Sequence, residues 1–525
     1  MTTLKKTVPI IFLNFSLNNF LFFNILSCFI SNYISKIFLK NNLKLYFRFS
    51  FFPITILFFS THNSLAQNIH SSNEKNLGIE SQGYTFSGKI NDRILFMSWT
   101  KNKVEVQAFD IDLHKQWERT IELDKKFTHN VLDIICSKTD FTIVDYAERK
   151  NIQYLKLAKY DSQIKLLDSA TVKAVSKNPD IAAPKLTLSD DKKTALLSEK
   201  AEAKYFDMCV FGFDSLKRIW DTRFEYKFYT EENKPEQFVI GNQGDVFLAF
   251  EENQFAKKGH QYKIEHFNGE ANVQETKMSL DFYVLNTKFS FDNYNRKLCA
   301  AGIYTEKNLS HAHGMFTFNI PLSAENGTMR HTSDIVSNIF DDDFVSAFTG
   351  KKVKNTRGLT PDLRVQDIVH RRDGGLLLIV EQVRELTRIM SNGSNFGFGH
   401  RDLSITDYYN DNTFLANIEP NGKMQWRSVV VKKQTSQNDE GRFCSFFVLK
   451  TPSAIHLLFN EDVARTTIVS DYVFKPDGQS ERHTILNTDG KNLQLRFRDA
   501  LQIGTNELLV PSQENYYVKL VKIEL

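Results

Sequence analysis

Cysteine is scarce: five occur in 525 residues, and no two form a C-x-x-C pair. Four of them, Cys136, Cys209, Cys299 and Cys444, lie far apart in the body of the chain, each inside an apolar, strand-like run (LDIIC, DMCVF, KLCAAG, FCSFF). They are expected as small buried hydrophobes, not as a disulfide framework, which belongs to chains too short to build a core. Motif-borne chemistry is absent as well. There is no G-x-S-x-G, no H-E-x-x-H and no Cys/His nucleophile pairing. Carboxylates abound, yet no spacing singles out a glycosidase-type pair. The glycine-rich stretch Ser391–His400 (SNGSNFGFGH) has no G-K-[ST] and opens no helix, which excludes a phosphate cradle. A surplus of charge is also missing. Residues 1–66 hold six basic residues and no acidic one, so the remainder carries 60 basic against 62 acidic side chains. A near-neutral body has no electrostatic footprint for nucleic acid.

The first 66 residues differ from the rest. They are rich in Phe, Leu, Ile and Asn. Lys36, Lys40, Lys44 and Arg48 form a basic run ahead of the apolar segment Phe51–Phe59. Ser64-Leu65-Ala66 is a small-x-small site of the signal-peptidase kind, so residues 44–66 read as a signal peptide and the mature chain is expected to start near Gln67. That makes the protein exported, to the periplasm, cell surface or medium. The leader is longer than usual, and no Met lies between Met1 and Met97. A mis-called start codon is one account. A functional upstream segment, Ile10–Ile30, is the other, although Asn14, Asn18, Asn19 and Asn24 interrupt it. No stable membrane span is expected in the mature chain.

What is present is a repeat. An apolar strand opened by a polar turn recurs at Ile94, Phe141, Ala195, Val246, Leu298, Leu377, Ile455 and Leu508. A strand that ends before a second turn recurs at Phe109, Tyr160, Phe213, Phe267, Phe318, Ile418, Phe474 and Val521, at intervals of 51, 53, 54, 51, 100, 56 and 47 residues. A period near fifty with several short strands and no clear helix-period segment is the signature of radial β repetition. In the first unit the strands read Tyr84–Gly88, Arg93–Trp99, Val104–Asp110 and Gln116–Leu123. Val104, Val106 and Ala108 alternate with Glu105 and Gln107, as a half-buried strand requires. Second strands such as Val246–Phe250 and Leu376–Val380 are apolar throughout, which suits a strand sandwiched between neighbouring sheets. The fold expected is all-β, a β-propeller of eight four-stranded blades over residues 83–525, with seven blades plus an edge element as the alternative. The last unit lacks a fourth strand, so closure calls for one lent by the linker 67–82, near Leu77–Ser81. The doubled interval places two insertions, about 332–365 between units five and six and 384–410 between the second and third strands of unit six. Both emerge on one face of a propeller, and loops this long tend to be functional.

Three units carry a fuller hairpin: FDIDLHKQW (109–117), FGFDSLKRIW (211–220) and ANIEPNGKMQW (416–426). These resemble the tryptophan-docking repeats of the quinoprotein-like eight-bladed propellers, a superfamily that includes periplasmic assembly scaffolds and quinone-dependent dehydrogenases. The resemblance implies an eight-blade ring in which Trp117, Trp220 and Trp426 pack between adjacent blades. Five units lack the Trp, and one alone has the Asn-Gly turn followed by Lys, so no quinone ligand is carried over and no cofactor is expected.

Candidate binding residues cluster in the insertions. Phe396, Phe398 and His400 lie in the glycine-rich stretch, and Tyr408 and Tyr409 follow it, aromatics being enriched at recognition sites. Asp341-Asp342-Asp343 in the first insertion reads as a solvated acidic turn, with calcium binding alongside Asp407 or Asp411 as the sharper alternative. His311-Ala312-His313 offers two metal ligands and no third in spacing, so it is expected as a polar loop and no metal is expected. The whole reads as an exported monomer, non-catalytic, that binds a protein or carbohydrate partner on the insertion face. The rival is a propeller enzyme, a quinoprotein-like oxidoreductase or a carbohydrate-active one.

Overall fold

The alternation in a single strand explains the architecture. In Arg93–Trp99, Ile94 and Phe96 point to one side and Leu95 and Met97 to the other, and all four are buried. A strand apolar on both faces is stable only with a neighbour sheet against each face. The computed structural model describes residues 69–525 apart from 177–183, 203–204, 226–234, 254–259, 270–272, 307–308, 323–327, 331–334, 391–402, 464–467 and 489. The proposed leader, residues 1–66, lies outside the described residues.

The described chain forms eight sheets of at least four strands, one for each sequence unit, arranged as the blades of a β-propeller. Blade 1 comprises Gly83–Ile90, Arg93–Trp99, Lys103–Phe109 and Lys115–Glu122, paired antiparallel in that order. Blades 2 to 7 span 131–176, 185–225, 237–280, 283–339, 363–430 and 447–487. Blade 8 takes Leu501–Gln502, Glu507–Glu514 and Tyr517–Glu524 from the C-terminal end.

Ile69–Ser71 supplies the fourth strand of blade 8, antiparallel to Tyr517–Glu524 with Ile69 opposite Ile523. Lys75–Asn76 adds a second short pairing to the same strand. The lent strand therefore lies earlier than Leu77–Ser81. Leu77 instead donates its N–H to Tyr516 O and packs between blades 8 and 1. The pairing removes an open sheet edge.

Eight apolar clusters hold the ring, one at each junction. Ile94 and Phe96 of blade 1 meet Leu509, Val518 and Leu520 of blade 8. Leu95 and Met97 meet Ile134, Phe141 and Ile143 of blade 2. The same division recurs in blade 6, where Leu376, Leu378 and Val380 face blade 5 while Leu377 and Ile379 face blade 7. Outermost strands are wet: in Lys115–Glu122 one residue, Ile121, is buried.

Tryptophans reach from outer strands onto the next blade. Trp220 Nε1 donates to Gly244 O of blade 4 at 3.0 Å, and Trp426 Nε1 to Pro476 O of blade 7 at 2.9 Å. Glycine is required where they land. Gly478 has φ +86°, and a Cβ there would lie 2.6 Å from the Trp426 ring. Trp117 packs against the cluster that holds Phe141 and Ile143 of blade 2, under the Arg119 guanidinium 4.9 Å from its ring.

Two features depart from the expected repeat. Thr328–Arg330 runs parallel to the outer strand Gln274–Leu280 and so extends blade 4, although it lies between the third and fourth strands of blade 5. The fourth strand of blade 5, Val336–Ile339, falls inside the stretch expected as the first insertion. Removing residues 67–76 strips blade 8 of its outer pairing and should lower the thermal unfolding midpoint by roughly 5 °C. An unchanged midpoint by differential scanning calorimetry would show that the pairing does not contribute to ring stability.

Candidate functional site

Successive connections in an antiparallel blade alternate between the two ends of the ring. The turns between first and second strands lie at one end. The second-to-third connections and the links between blades lie at the other, and both insertions of blade 6 are found there.

The second insertion is a strand pair. Leu376–Met390 and Leu403–Ile418 run on past the blade as a hairpin arm, still in register at Leu386 opposite Asp407 and Thr387 opposite Thr406. The first strand of the blade pairs with Leu376–Met390 only as far as Gln382. Beyond that point the support comes from Gln434–Gln437, which pairs with Asp407–Asn410 on the other flank. Arg388 closes on Asp407 at 2.7 Å, and Gln437 Nε2 donates to the same carboxylate at 2.7 Å.

At the arm's root a charge occupies a core position. Glu381 continues the series Leu377, Ile379 on the blade 7 side, and its side chain is fully buried against the equally buried Lys432. Glu381 Oε1 accepts from Lys432 Nζ. Oε2 accepts from Gln366 Nε2 at 2.9 Å, Asn410 Nδ2 at 3.0 Å and Ser445 Oγ at 3.1 Å. Lys432 Nζ also donates to Gln434 Oε1 at 2.9 Å and Asn410 O at 3.2 Å. Two strands of the arm and the segment behind it are thus tied at one point. A buried pair survives desolvation only when its remaining donors and acceptors are satisfied, as they are here.

The first insertion is not a loop either. Asp342–Thr349 is a helix, α1, and the acidic triplet is its start. Asp341 is the N-cap, accepting from Phe344 N at 2.8 Å, and it pairs with Arg427. Burial works to raise its carboxyl pKa, but the Phe344 amide and the Arg427 guanidinium outweigh it and hold the group below the usual range. Asp342 accepts from Asn355 N at 2.8 Å and Thr356 N at 2.7 Å. Asp343 is exposed. Two of the three carboxylates are therefore spent on the backbone, and the arrangement is a helix cap, not a calcium loop. Phe344 and Phe348 pack edge-on against Phe414 with ring centroids 5.1 Å and 6.0 Å away.

The insertions touch. Asn412 Nδ2 donates to Phe348 O at the helix end at 2.6 Å, and Gln382 Nε2 to Thr360 Oγ1 at 3.1 Å. Tyr408 and Tyr409 are half-buried on the arm, Tyr409 beneath Arg384 at 5.2 Å. Among the described residues nothing joins either tyrosine to Asp341, Asp342 or Asp343, which stand at the far end of α1. Asp407 and Asp411 take Arg388 and Arg384 as partners. Phe396, Phe398 and His400 lie outside the described residues. His313 Nδ1 sits 2.8 Å from Thr305 Oγ1. Cys444 lies in a bend, not a strand, with its Sγ 3.4 Å from Ser436 Oγ. All four cysteines of the body are free.

Two cavities open at opposite ends of the ring. One of about 930 Å³ lies at the insertion end, between the arm and blades 7 and 8, lined by Asp407, Ser436, Asp439, Asn460, Asn492 and Gln494 among others. The larger, about 1180 Å³, opens at the opposite end among the turns of blades 8, 1, 2 and 3, with Asp92, Asp133, Lys138, Asp140, Lys192 and Asp499 in its wall. There burial raises the Asp133 carboxyl above its ordinary range and pushes the Cys136 thiol up to about 12. No helix among the described residues is long and apolar enough to cross a membrane.

No protein-family model matches the chain, and no curated protein matches it. Among solved structures it is similar to an uncharacterized protein from Listeria monocytogenes (8% identity over 70% of this chain and 84% of that one, TM-score 0.37). It is also similar to an oligogalacturonate lyase in complex with manganese (7% identity, 87% and 98%, TM-score 0.37). A third is the β-propeller domain of the Trilobed protease from Pyrococcus furiosus (12% identity, 76% and 97%, TM-score 0.34). Likenesses this distant carry no functional argument.

Replacing Lys432 by Met leaves the Glu381 carboxylate buried without its cation and should cost about 3–5 kcal/mol of stability. The paired change Glu381→Leu with Lys432→Met should recover most of it. Denaturant titration of the three variants reads both effects. A Lys432→Met protein as stable as the wild type would show that the pair is not what roots the arm.

Proposed function

We propose that the protein is an exported, non-catalytic propeller of the quinoprotein-like kind that binds a protein partner at the insertion end, with the hairpin arm as the contact element. One observation carries the reading. The arm leaves the ring on a root fixed by buried polar bonds, and it shows apolar side chains to solvent where nothing in the ring requires them: Leu386 is 50% and Ile389 71% exposed. A rigid element with exposed apolar groups loses little entropy on docking. The Trp220 and Trp426 contacts support the kinship, since they join blades as the resemblance implies.

A second reading is favoured by the cavity at the opposite end. Carboxylates and lysines converge there, and the half-buried Asp133, its pKa raised by desolvation, suits a general acid. Under that reading the protein is a propeller enzyme, and Asp133→Asn would abolish turnover without touching the arm.

Replacing residues 387–406 by an Asn-Gly turn keeps the pairing of Leu386 with Asp407 and should change the unfolding midpoint by less than about 2 °C, since the deleted pairs are mostly exposed. A photo-crosslinking residue at Ile389 should yield a defined protein adduct in the exporting cell. The same residue at Ile219, 49% exposed on an outer strand of blade 3, should not. Equal adducts at the two positions would rule out the arm as the contact element.

A further inference from the structure

At the junction of blades 5 and 6, three side chains of different chemistry converge. Asp292 ends the first strand of blade 5, Cys299 lies in its second strand, and His370 ends the first strand of blade 6. Their ligand atoms all lie within 4.8 Å of one another, and among the described residues they are the one such group of three. The place is the turn end of the ring, opposite the insertions.

The convergence follows from the pairing. Cys299 stands opposite Ser290, and Asp292 two residues on from Ser290, so all three project from the same face of blade 5. His370 comes to that face from the neighbouring blade, with Nε2 2.8 Å from Ser290 Oγ. When Nε2–H donates to that hydroxyl, Nδ1 keeps the free lone pair. Nδ1 is buried and has no hydrogen-bond partner. Its approach to Asp292 Oδ2, 3.9 Å, is too long for a hydrogen bond. Asp292 is itself held in place: Oδ1 accepts from Tyr294 N at 3.1 Å and Asn295 N at 2.9 Å, and Oδ2 from Asn295 Nδ2 at 2.8 Å. The nearby Lys297 ammonium is engaged by Gly374 O at 2.8 Å.

We propose that Asp292, Cys299 and His370 form a three-ligand site for a zinc-class divalent cation, through one carboxylate oxygen, the sulfur and Nδ1, with Ser290 as the outer partner of the histidine. Metal–ligand bonds of about 2.0–2.3 Å at tetrahedral angles set donor atoms roughly 3.3–3.7 Å apart. The three donor atoms lie within 4.8 Å of one another, with Nδ1 to Oδ2 at 3.9 Å, so binding draws them together by up to about 1 Å. The donor set selects the ion. A carboxylate, an imidazole and a thiolate suit Zn²⁺ better than Mg²⁺ or Ca²⁺, which take oxygen alone. Charge agrees too: carboxylate and thiolate together neutralise a dication, which matters where Asp292 and Cys299 are 1% and 0% exposed. The ion replaces the thiol proton, which leaves to solvent. With three protein ligands, the fourth position is left to water. The hydroxyl on Nε2 matches the outer bond that orients metal-bound histidines.

The test uses the full chain, untagged, stripped with chelator and titrated with Zn²⁺ and with Co²⁺. Competition with a chromophoric chelator should give one equivalent of tight Zn²⁺. The Co²⁺ form should show thiolate-to-metal charge-transfer absorption. Cys299→Ala and His370→Gln should each weaken Zn²⁺ at least tenfold and abolish the Zn²⁺-induced rise in unfolding midpoint, and Ser290→Ala should weaken it about tenfold. Should the variants not fold, the wild-type Co²⁺ spectrum decides alone. Tight binding without the charge-transfer band, or no retention beyond that of an Asp292→Asn/Cys299→Ala/His370→Gln protein, overturns the proposal. Neither outcome bears on partner binding at the arm.

Discussion

Each second strand serves two junctions at once, and the ring depends on that sharing. Ile94 and Phe96 belong to the core with blade 8, Leu95 and Met97 to the core with blade 2. No blade has a core of its own. A side chain of this size stabilises by about 1.5–3 kcal/mol when fully buried, so a blade missing one neighbour loses about half of its apolar burial. The chain must therefore close, and Ile69–Ser71 does so. Ile69 lies against Ile523 and packs with Leu508 and Val521 in the core of blades 7 and 8.

That sharing is why the architecture is legible in the amino-acid pattern. A strand apolar on both faces, preceded by a polar turn, has few other homes, and all eight such positions from Ile94 to Leu508 fall in second strands. The blade 1 strands expected from alternation end within two residues of those observed. The failures have physical reasons. The closing strand, Ile69–Ser71, is three residues long with one apolar member, too short for alternation to show. Helix α1 does leave a signal, Phe340, Phe344 and Phe348 at four-residue spacing with Asp341 positioned to cap. Taken in isolation, the triplet looks like an acidic turn when it is a helix start. Thr328–Arg330 is illegible for another reason: its pairing with blade 4 depends on neighbours remote in sequence.

Less of the candidate site is written in the sequence. Aromatic content points to the arm, and Tyr408 and Tyr409 do stand on it. Nothing in the sequence points to Glu381, which interrupts an apolar alternation as an ordinary strand end would. Its partner Lys432 lies 51 residues on, just after the apolar run Val429–Val431, where a lysine looks like the solvated end of a strand. The same holds for Asp292, Cys299 and His370, whose separations of 7 and 71 residues match no metal motif and acquire meaning only once blades 5 and 6 are side by side.

Among the described residues, those two blades carry the helix, the arm and the buried charge pair, and these departures act on one another mechanically. An arm built on blade 6 transmits any load on its tip to the 5–6 and 6–7 junctions. The second is braced by the buried pair, where Lys432 lies over Phe446 and Phe459 of the blade 7 core at 5.9 Å and 5.8 Å. The first is braced at the insertion end by α1, whose Phe344, Val345 and Phe348 fill the cluster that holds Ile303 and Val380. At the turn end the same cluster terminates in Cys299, beside Asp292 and His370. A cation there would cross-link blade 5 to blade 6 at the opposite end from the helix, so that the sheets could neither slide nor splay. Coordination resists shear because its geometry is directional, whereas apolar packing alone permits sliding. The ring is thus fortified on both sides of the blade that carries the arm, where a docking element would load it.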